Sequence, residues 1–120
     1  MTSQRLSRRA QGQQIEDAAE QFLLAQGLTL EARNYYTRRG EIDLVCRHNT
    51  VLVFIEVRYR KRNAHGSGAE SVTPAKQQKL RLAAEHYLQH RYPHALPDCR
   101  FDVLSGSGKP VIFDWIQNAF

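Results

Sequence analysis

The sequence predicts a small α/β domain with a central mixed sheet flanked by helices, in the order α-β-β-β-α-β-β. Three observations carry this. Apolar residues recur at helical spacing in two segments, 13–26 and 74–91. Three strand-like runs lie between them, the longest being VLVFIEVRYR at 51–60, dense in β-branched and aromatic residues. And 120 residues, 42% of them hydrophobic, are enough for one domain with one core.

Residues 1–11 are polar and basic without apolar periodicity, so a disordered basic tail is expected there, followed by a single domain over 12–120. In the first helix Ile15, Ala18, Ala19, Phe22 and Ala25 form the apolar stripe, and Gly27 is its expected stop. A first, irregular strand is expected over 28–36. Gly40 closes the turn before a second strand over 41–47, and His48-Asn49-Thr50 is a short hairpin connection to the third. Residues 61–72, KRNAHGSGAESV, are polar and Gly-containing and predict an exposed, mobile loop. Thr73 and Pro74 open the second helix as N-cap and first helical residue. Its inner face is Leu80, Ala83, Ala84, Tyr87 and Leu88, and Pro93 and Pro97 end it. Strands over 101–104 and 111–116 make a last hairpin around SGSGKP. That Gly-rich turn lacks the spacing and the Ser/Thr of a phosphate-binding loop.

A mean hydropathy of −0.55 with 24% charged residues describes a soluble chain. No apolar stretch approaches the roughly 20 residues of a membrane span. The basic N-terminus has no apolar run behind it, so a secretory signal is not expected and the cytoplasm is the expected compartment. Cys46 and Cys99 are too few and too far apart for a zinc knuckle or a disulfide framework. His86, His90 and His94 have no carboxylate arranged with them and are expected to face solvent. Trp115, Phe113 and Phe120 are spaced as core residues. The formal charge of +5 favours a polyanionic partner, chiefly nucleic acid. Arg38, Arg39, Arg47, Arg58, Arg60, Lys61 and Arg62 cluster in sequence around the second and third strands.

Those strands, GEIDLVCRHNTVLVFIEVRYRK over 40–61, also carry Glu41, Asp43 and Glu56. Alternation puts Glu41, Asp43 and Val45 on one face, and Glu56, Arg58, Leu52 and Phe54 on one face. If the strands pair through the short hairpin, Asp43 and Glu56 lie side by side at the open end of the sheet. Adjacent carboxylates repel unless a proton or a cation sits between them. Oxygen-only ligands suit Mg²⁺ or Mn²⁺, which can polarise a phosphodiester and acidify a bound water. The plainer alternative for Asp43 and Glu56 is a structural ion network with Arg58, Arg39 or Arg60. Glu16 is otherwise an ordinary first-turn acid, Glu41 a solvated strand start, and Lys76 a surface residue.

An acid, a strand turn, then Glu-x-basic at the end of an apolar strand is the layout of the PD-(D/E)xK nucleases. Together, RxGEIDLV, VFIEVRYR, SVTPAKQQKL, CRFDVL and a terminal NAF resemble the YraN family of small bacterial proteins over about residues 12–120. The resemblance implies a restriction-endonuclease-like domain related to archaeal-type Holliday-junction resolvases. It implies Asp43 and Glu56 as metal-binding acids, with the backbone carbonyl of Val57 as a further ligand. Glu16, in GxxxExxAxxFL, matches a first-helix acid that reaches the metal directly or through water. Glu41, Lys76 and Arg60 match further family positions.

Arg58 departs from the nuclease pattern, where a lysine is usual. A guanidinium stays protonated at working pH and cannot act as a base, though its fork can hold phosphate oxygens. The expected function is a Mg²⁺- or Mn²⁺-dependent DNA endonuclease, acting on branched or otherwise structured DNA. Its catalytic residues would be Asp43, Glu56, Arg58 and Glu16, and Arg38, Arg39, Arg60, Lys61, Arg62 and Lys76 would bind nucleic acid. One alternative is a nucleic-acid-binding module with the same fold but no efficient turnover. Another is an adaptor that docks a protein through the 61–72 loop or the basic tail. A homodimer is compatible with either nuclease-type reading.

Overall fold

The computed structural model describes residues 8–60 and 72–120, with the backbone alone at residues 8 and 9. The element order is α1 (Arg8–Ala25), β1 (Thr29–Tyr36), β2 (Glu41–His48), β3 (Val51–Arg60), α2 (Pro74–Arg91), β4 (Cys99–Ser107) and β5 (Ile112–Ile116). This is the expected α-β-β-β-α-β-β order. Of the tail expected over 1–11, residues 8–11 are instead the first turn of α1, and 1–7 lie outside the described residues. The loop expected over 61–72 also lies outside them, except for Val72. That residue is buried against Leu80 and Val103 rather than exposed.

The five strands form one sheet in the order β1-β2-β3-β4-β5. Neighbours are antiparallel except β3 and β4, which run parallel from the Leu52–Cys99 pair to the Arg60–Ser107 pair. That long parallel ladder is why β4 extends beyond the apolar residues 101–104: β3 supplies backbone partners at each end. The β2–β3 turn is tighter than the sequence suggests. His48 pairs with Val51, leaving Asn49 (φ +57°) and Thr50 as a two-residue connection, with Asn in the left-handed conformation it tolerates.

Each helix covers one face. Ala19 and Leu23 of α1 pack with Leu44, Cys46, Val53, Ile55 and Leu104. Ala83, Ala84 and Tyr87 of α2 pack with Val45, Leu52 and Phe54. Local chemistry sets the helix ends. Gly27 (φ +92°) ends α1: its N–H donates to Leu24 O (3.0 Å) and that of Leu28 to Leu23 O (3.1 Å), the paired bonds of a glycine stop. Thr73 caps α2, its Oγ1 accepting from Lys76 N at 3.2 Å, with Pro74 in the first turn. Gly40 lets the β1–β2 turn lie directly on α2, because a Cβ there would come 2.6 Å from Lys79 O. No helix among the described residues is long and apolar enough to cross a membrane.

Candidate active site

Glu56, Arg58 and Arg60 alternate along one face of β3, with Val57 and Tyr59 on the other. Glu56 is 4% exposed. A buried carboxylate requires compensation, and two cations supply it: Lys76 Nζ lies 2.8 Å and Arg58 Nε 3.4 Å from its Oε2. Lys76 comes from the first turn of α2, so the Thr73 cap and Pro74 set where it starts.

Asp43 reaches the same place by a route that simple alternation does not predict. Ile42 and Val45, three residues apart, pack in one cluster with α2, whereas Leu44 packs with α1. Asp43 lines a cavity of about 270 Å³ on the α1 side, with Gln11, Gly12, Ile15, Glu16, Val57 and Tyr59. Asp43 and Val45 therefore do not share a face. Two irregularities account for this. The β2–β3 ladder stops at the Leu44–Ile55 pair, and Val57 N donates to Asp43 Oδ2 (2.8 Å) instead of to a strand carbonyl. On the other side, Asn34 adopts φ +54° between the pairs Arg33–Leu44 and Tyr35–Ile42, opposite Asp43. The distortion turns Asp43 toward α1, and Asp43 and Glu56 still meet through a side-chain hydrogen bond.

This contact governs the protonation of Asp43. Burial first, then the hydrogen bond and the charge of Glu56, push its carboxyl up to about 8, against the opposing pull of Val57 N–H; the charge of Glu16 adds to the rise. The contact thus favours a proton held between the two carboxyls, with Asp43 the one pushed toward its protonated form. Glu16 lines the same cavity and is held by Asn34 Nδ2 (3.1 Å) and by Arg33 Nη2 (3.5 Å).

Among the described residues, no group of three or more His, Cys, Asp or Glu converges as a ready-made metal cage. The oxygen donors on offer are the two carboxylates and a backbone carbonyl. In a strand, the N–H and C=O of one residue face the same neighbour. The bond from Val57 N to Asp43 therefore turns the Val57 carbonyl to the side of Asp43. An oxygen-only set of this kind matches the preference of a hard divalent cation.

A basic groove of about 690 Å³ is lined by residues that include Arg38, Arg39, Lys76 and Lys79, and Lys76 joins it to Glu56. The structure therefore brings Arg38, Arg39 and Lys76 together. Arg60 stands at the far end of β3, and Lys61 and Arg62 lie outside the described residues. Glu41 is exposed on the wall of the same groove. Lys79 was not singled out from the sequence, although it follows Lys76 by three residues and so shares its helix face. Asn34 was missed as well; a lone asparagine in an irregular strand was the available signal.

Two further acids are structural. Asp102 is fully buried and accepts from Arg100, Trp115 Nε1 (2.9 Å) and Asn118 N (2.9 Å). Glu31 accepts from Tyr92 Oη (2.6 Å), Tyr87 Oη (2.7 Å) and Arg47 Nε (3.1 Å). Burial alone would raise its pKa, but these hydrogen bonds outweigh it and hold the carboxyl below its usual range. Both cysteines are free: Cys46 is buried, its thiol pushed up to about 12 first by burial, and Cys99 is exposed.

The model of a family described as "Uncharacterised protein family UPF0102" matches residues 15–105, a span that contains Glu16, Asp43, Glu56, Arg58 and Lys76. A UPF0102 protein of Aeromonas hydrophila subsp. hydrophila is 51% identical over 112 residues, covering 92% of this chain and 85% of the relative. One from Saccharophagus degradans is 50% identical over 109 residues, covering 91% of each. One from Hahella chejuensis is 49% identical over 110 residues, covering 91% of this chain and 88% of the relative.

Proposed function

This chain belongs to the uncharacterised protein family UPF0102, and from the geometry of its acid site we propose that it is a metal-dependent endonuclease that hydrolyses phosphodiesters in DNA. The observation that carries the proposal is the contact between Asp43 and Glu56, two acids from different strands with cations grouped at one of them. A second, proton-retaining acid pressed against the first is a costly arrangement for stability alone, and perturbed acids of this kind concentrate at functional sites.

Mg²⁺ or Mn²⁺ held by Asp43, Glu56 and the Val57 carbonyl would polarise a phosphodiester oxygen and lower the pKa of an attacking water. Asp43 would give up its proton to such a cation. Glu16, fixed by Asn34 and Arg33 on the wall of the cavity, is placed to accept a hydrogen bond from water beside the pair. Arg58 remains protonated, so its part is to hold phosphate oxygens and offset negative charge in the transition state, not to remove a proton. Arg38, Arg39 and Lys79 line the path along which the phosphate backbone lies, and Arg60 adds a further cation at the end of β3.

Incubation with plasmid, single-stranded and four-way-junction DNA in Mg²⁺ or Mn²⁺ tests the proposal. Cleavage is expected, falling at least a hundredfold in Asp43→Ala and Glu56→Ala. Cleavage that these substitutions leave intact sinks it. The ion pairs on Glu56 favour a second reading, a module that binds nucleic acid without turning it over. Under that reading, salt-dependent DNA binding persists in EDTA and no substrate is cut.

A further inference from the structure

We propose that Lys76 is an exchangeable counter-ion: it neutralises Glu56 while no divalent cation is bound, and moves onto a DNA phosphate when one is. The inference rests on the nuclease reading above and adds a role for a residue on α2.

Three features of the structure carry it. First, Lys76 Nζ is 2.8 Å from Glu56 Oε2, closer than the 3.4 Å of Arg58 Nε to the same oxygen. The ammonium thus occupies the oxygen that a divalent cation would need. Second, the two partners differ in freedom. The Glu56 side chain is 5% exposed and fixed in β3, whereas that of Lys76 is 42% exposed on a flexible stem. When a stronger cation arrives, the lysine moves and the acid does not. Third, the place to which it can move is already lined: Lys76 borders the groove that also holds Arg38, Arg39 and Lys79. An ammonium released from Glu56 has a phosphate path beside it. A compact point charge on four methylenes is suited to such an exchange, while a guanidinium fork is suited to staying.

The exchange involves no bond making; one cation replaces another at a carboxylate oxygen. It predicts that Lys76 opposes metal binding and supports DNA binding chiefly in the metal-loaded protein.

Calorimetric titration of Mn²⁺ into the full chain, wild type against Lys76→Gln, reads the first effect. Mn²⁺ affinity is expected to tighten about tenfold in the variant, because no ammonium has to leave. Lys76→Met, which keeps the aliphatic stem, should behave alike, and circular dichroism of both variants checks that α2 is intact. Unchanged or weaker Mn²⁺ affinity in both folded variants overturns the exchange and leaves the acid-pair reading standing. Absence of Mn²⁺ binding in the wild type overturns both. The second effect is read by DNA affinity in Ca²⁺, which takes the same oxygen ligands, and in EDTA. The loss caused by Lys76→Gln is expected to be about fivefold larger in Ca²⁺ than in EDTA. An equal loss in both reduces Lys76 to an ordinary surface phosphate contact.

Discussion

Asp43 keeps a proton that an aspartate in an unfolded chain loses near pH 4, because burial and the neighbouring Glu56 penalise its charge. Its pKa is raised on folding, so between about pH 4 and about 8 the folded chain holds a proton the unfolded chain has released. Stability therefore falls as pH rises through that window, and the loss is complete above the folded pKa. Asn at this position can donate to Glu56 and accept from Val57 N much as the protonated acid does. Asp43→Asn is thus expected to flatten the slope and to be more stable than wild type at pH 9 by on the order of 2 kcal/mol. Urea unfolding across pH in metal-free buffer checks this; parallel curves for the two proteins would refute it. The same proton must leave when a cation binds. Mn²⁺ titrations at pH 7 in buffers of different ionisation enthalpy should report release of about one proton. The sequence put Asp43 and Glu56 together through hairpin pairing, and they do meet. It could not indicate that Asp43 turns toward α1, because that depends on the backbone at Asn34, a residue on another strand.

At the scale of elements, the turns and caps hold the site in register. The β1–β2 turn carries Arg38 and Arg39 and is seated on α2 through Gly40, with Thr37 Oγ1 donating to Gly40 O at 2.7 Å. A methyl at Gly40 would meet Lys79 O at 2.6 Å, a backbone atom that cannot swing aside. Gly40→Ala is expected to cost about 1–3 kcal/mol of stability, as overpacked contacts do. It should also weaken DNA binding, because the turn must lift from the helix that bears Lys76 and Lys79. A thermal melt and an anisotropy titration test the two halves separately; an unchanged melting temperature removes the premise. Thr73→Ala removes the cap of α2 and should cost about 1 kcal/mol. These punctuation residues were legible, because Gly27, Gly40, Thr73 and Pro74 act through local sterics and hydrogen bonds. Less legible was the length of β4. The residues Ser105, Gly106 and Ser107 have no strand pattern of their own and are extended because β3 runs parallel beside them.

For the whole molecule, a net charge of +5 is only a weak pointer to nucleic acid; its placement matters more. Arg38, Arg39, Lys76 and Lys79 come from a turn and a helix well apart in the chain, and folding makes one groove of them that Lys76 joins to Glu56. Each phosphate contact adds about 0.9 to the slope of log affinity against log salt on duplex DNA. Arg38→Ala with Arg39→Ala should lower that slope by about two contacts' worth and leave the far-UV spectrum unchanged, and an identical slope in the double variant would move the DNA elsewhere. The sequence by itself determined the order of elements, the stop of α1, the cap of α2 and the identity of the acids, since periodicity, capping and strand alternation are properties of neighbours in the chain. It also determined that Arg58 cannot serve as a base, because that follows from the guanidinium itself. Only the tertiary structure decided that Asp43 leaves the face of Val45, that Asp43 retains a proton against Glu56, and that a lysine from α2 reaches Glu56. Those facts arise from burial and from contacts across strands and between a helix and the sheet, which no local pattern encodes.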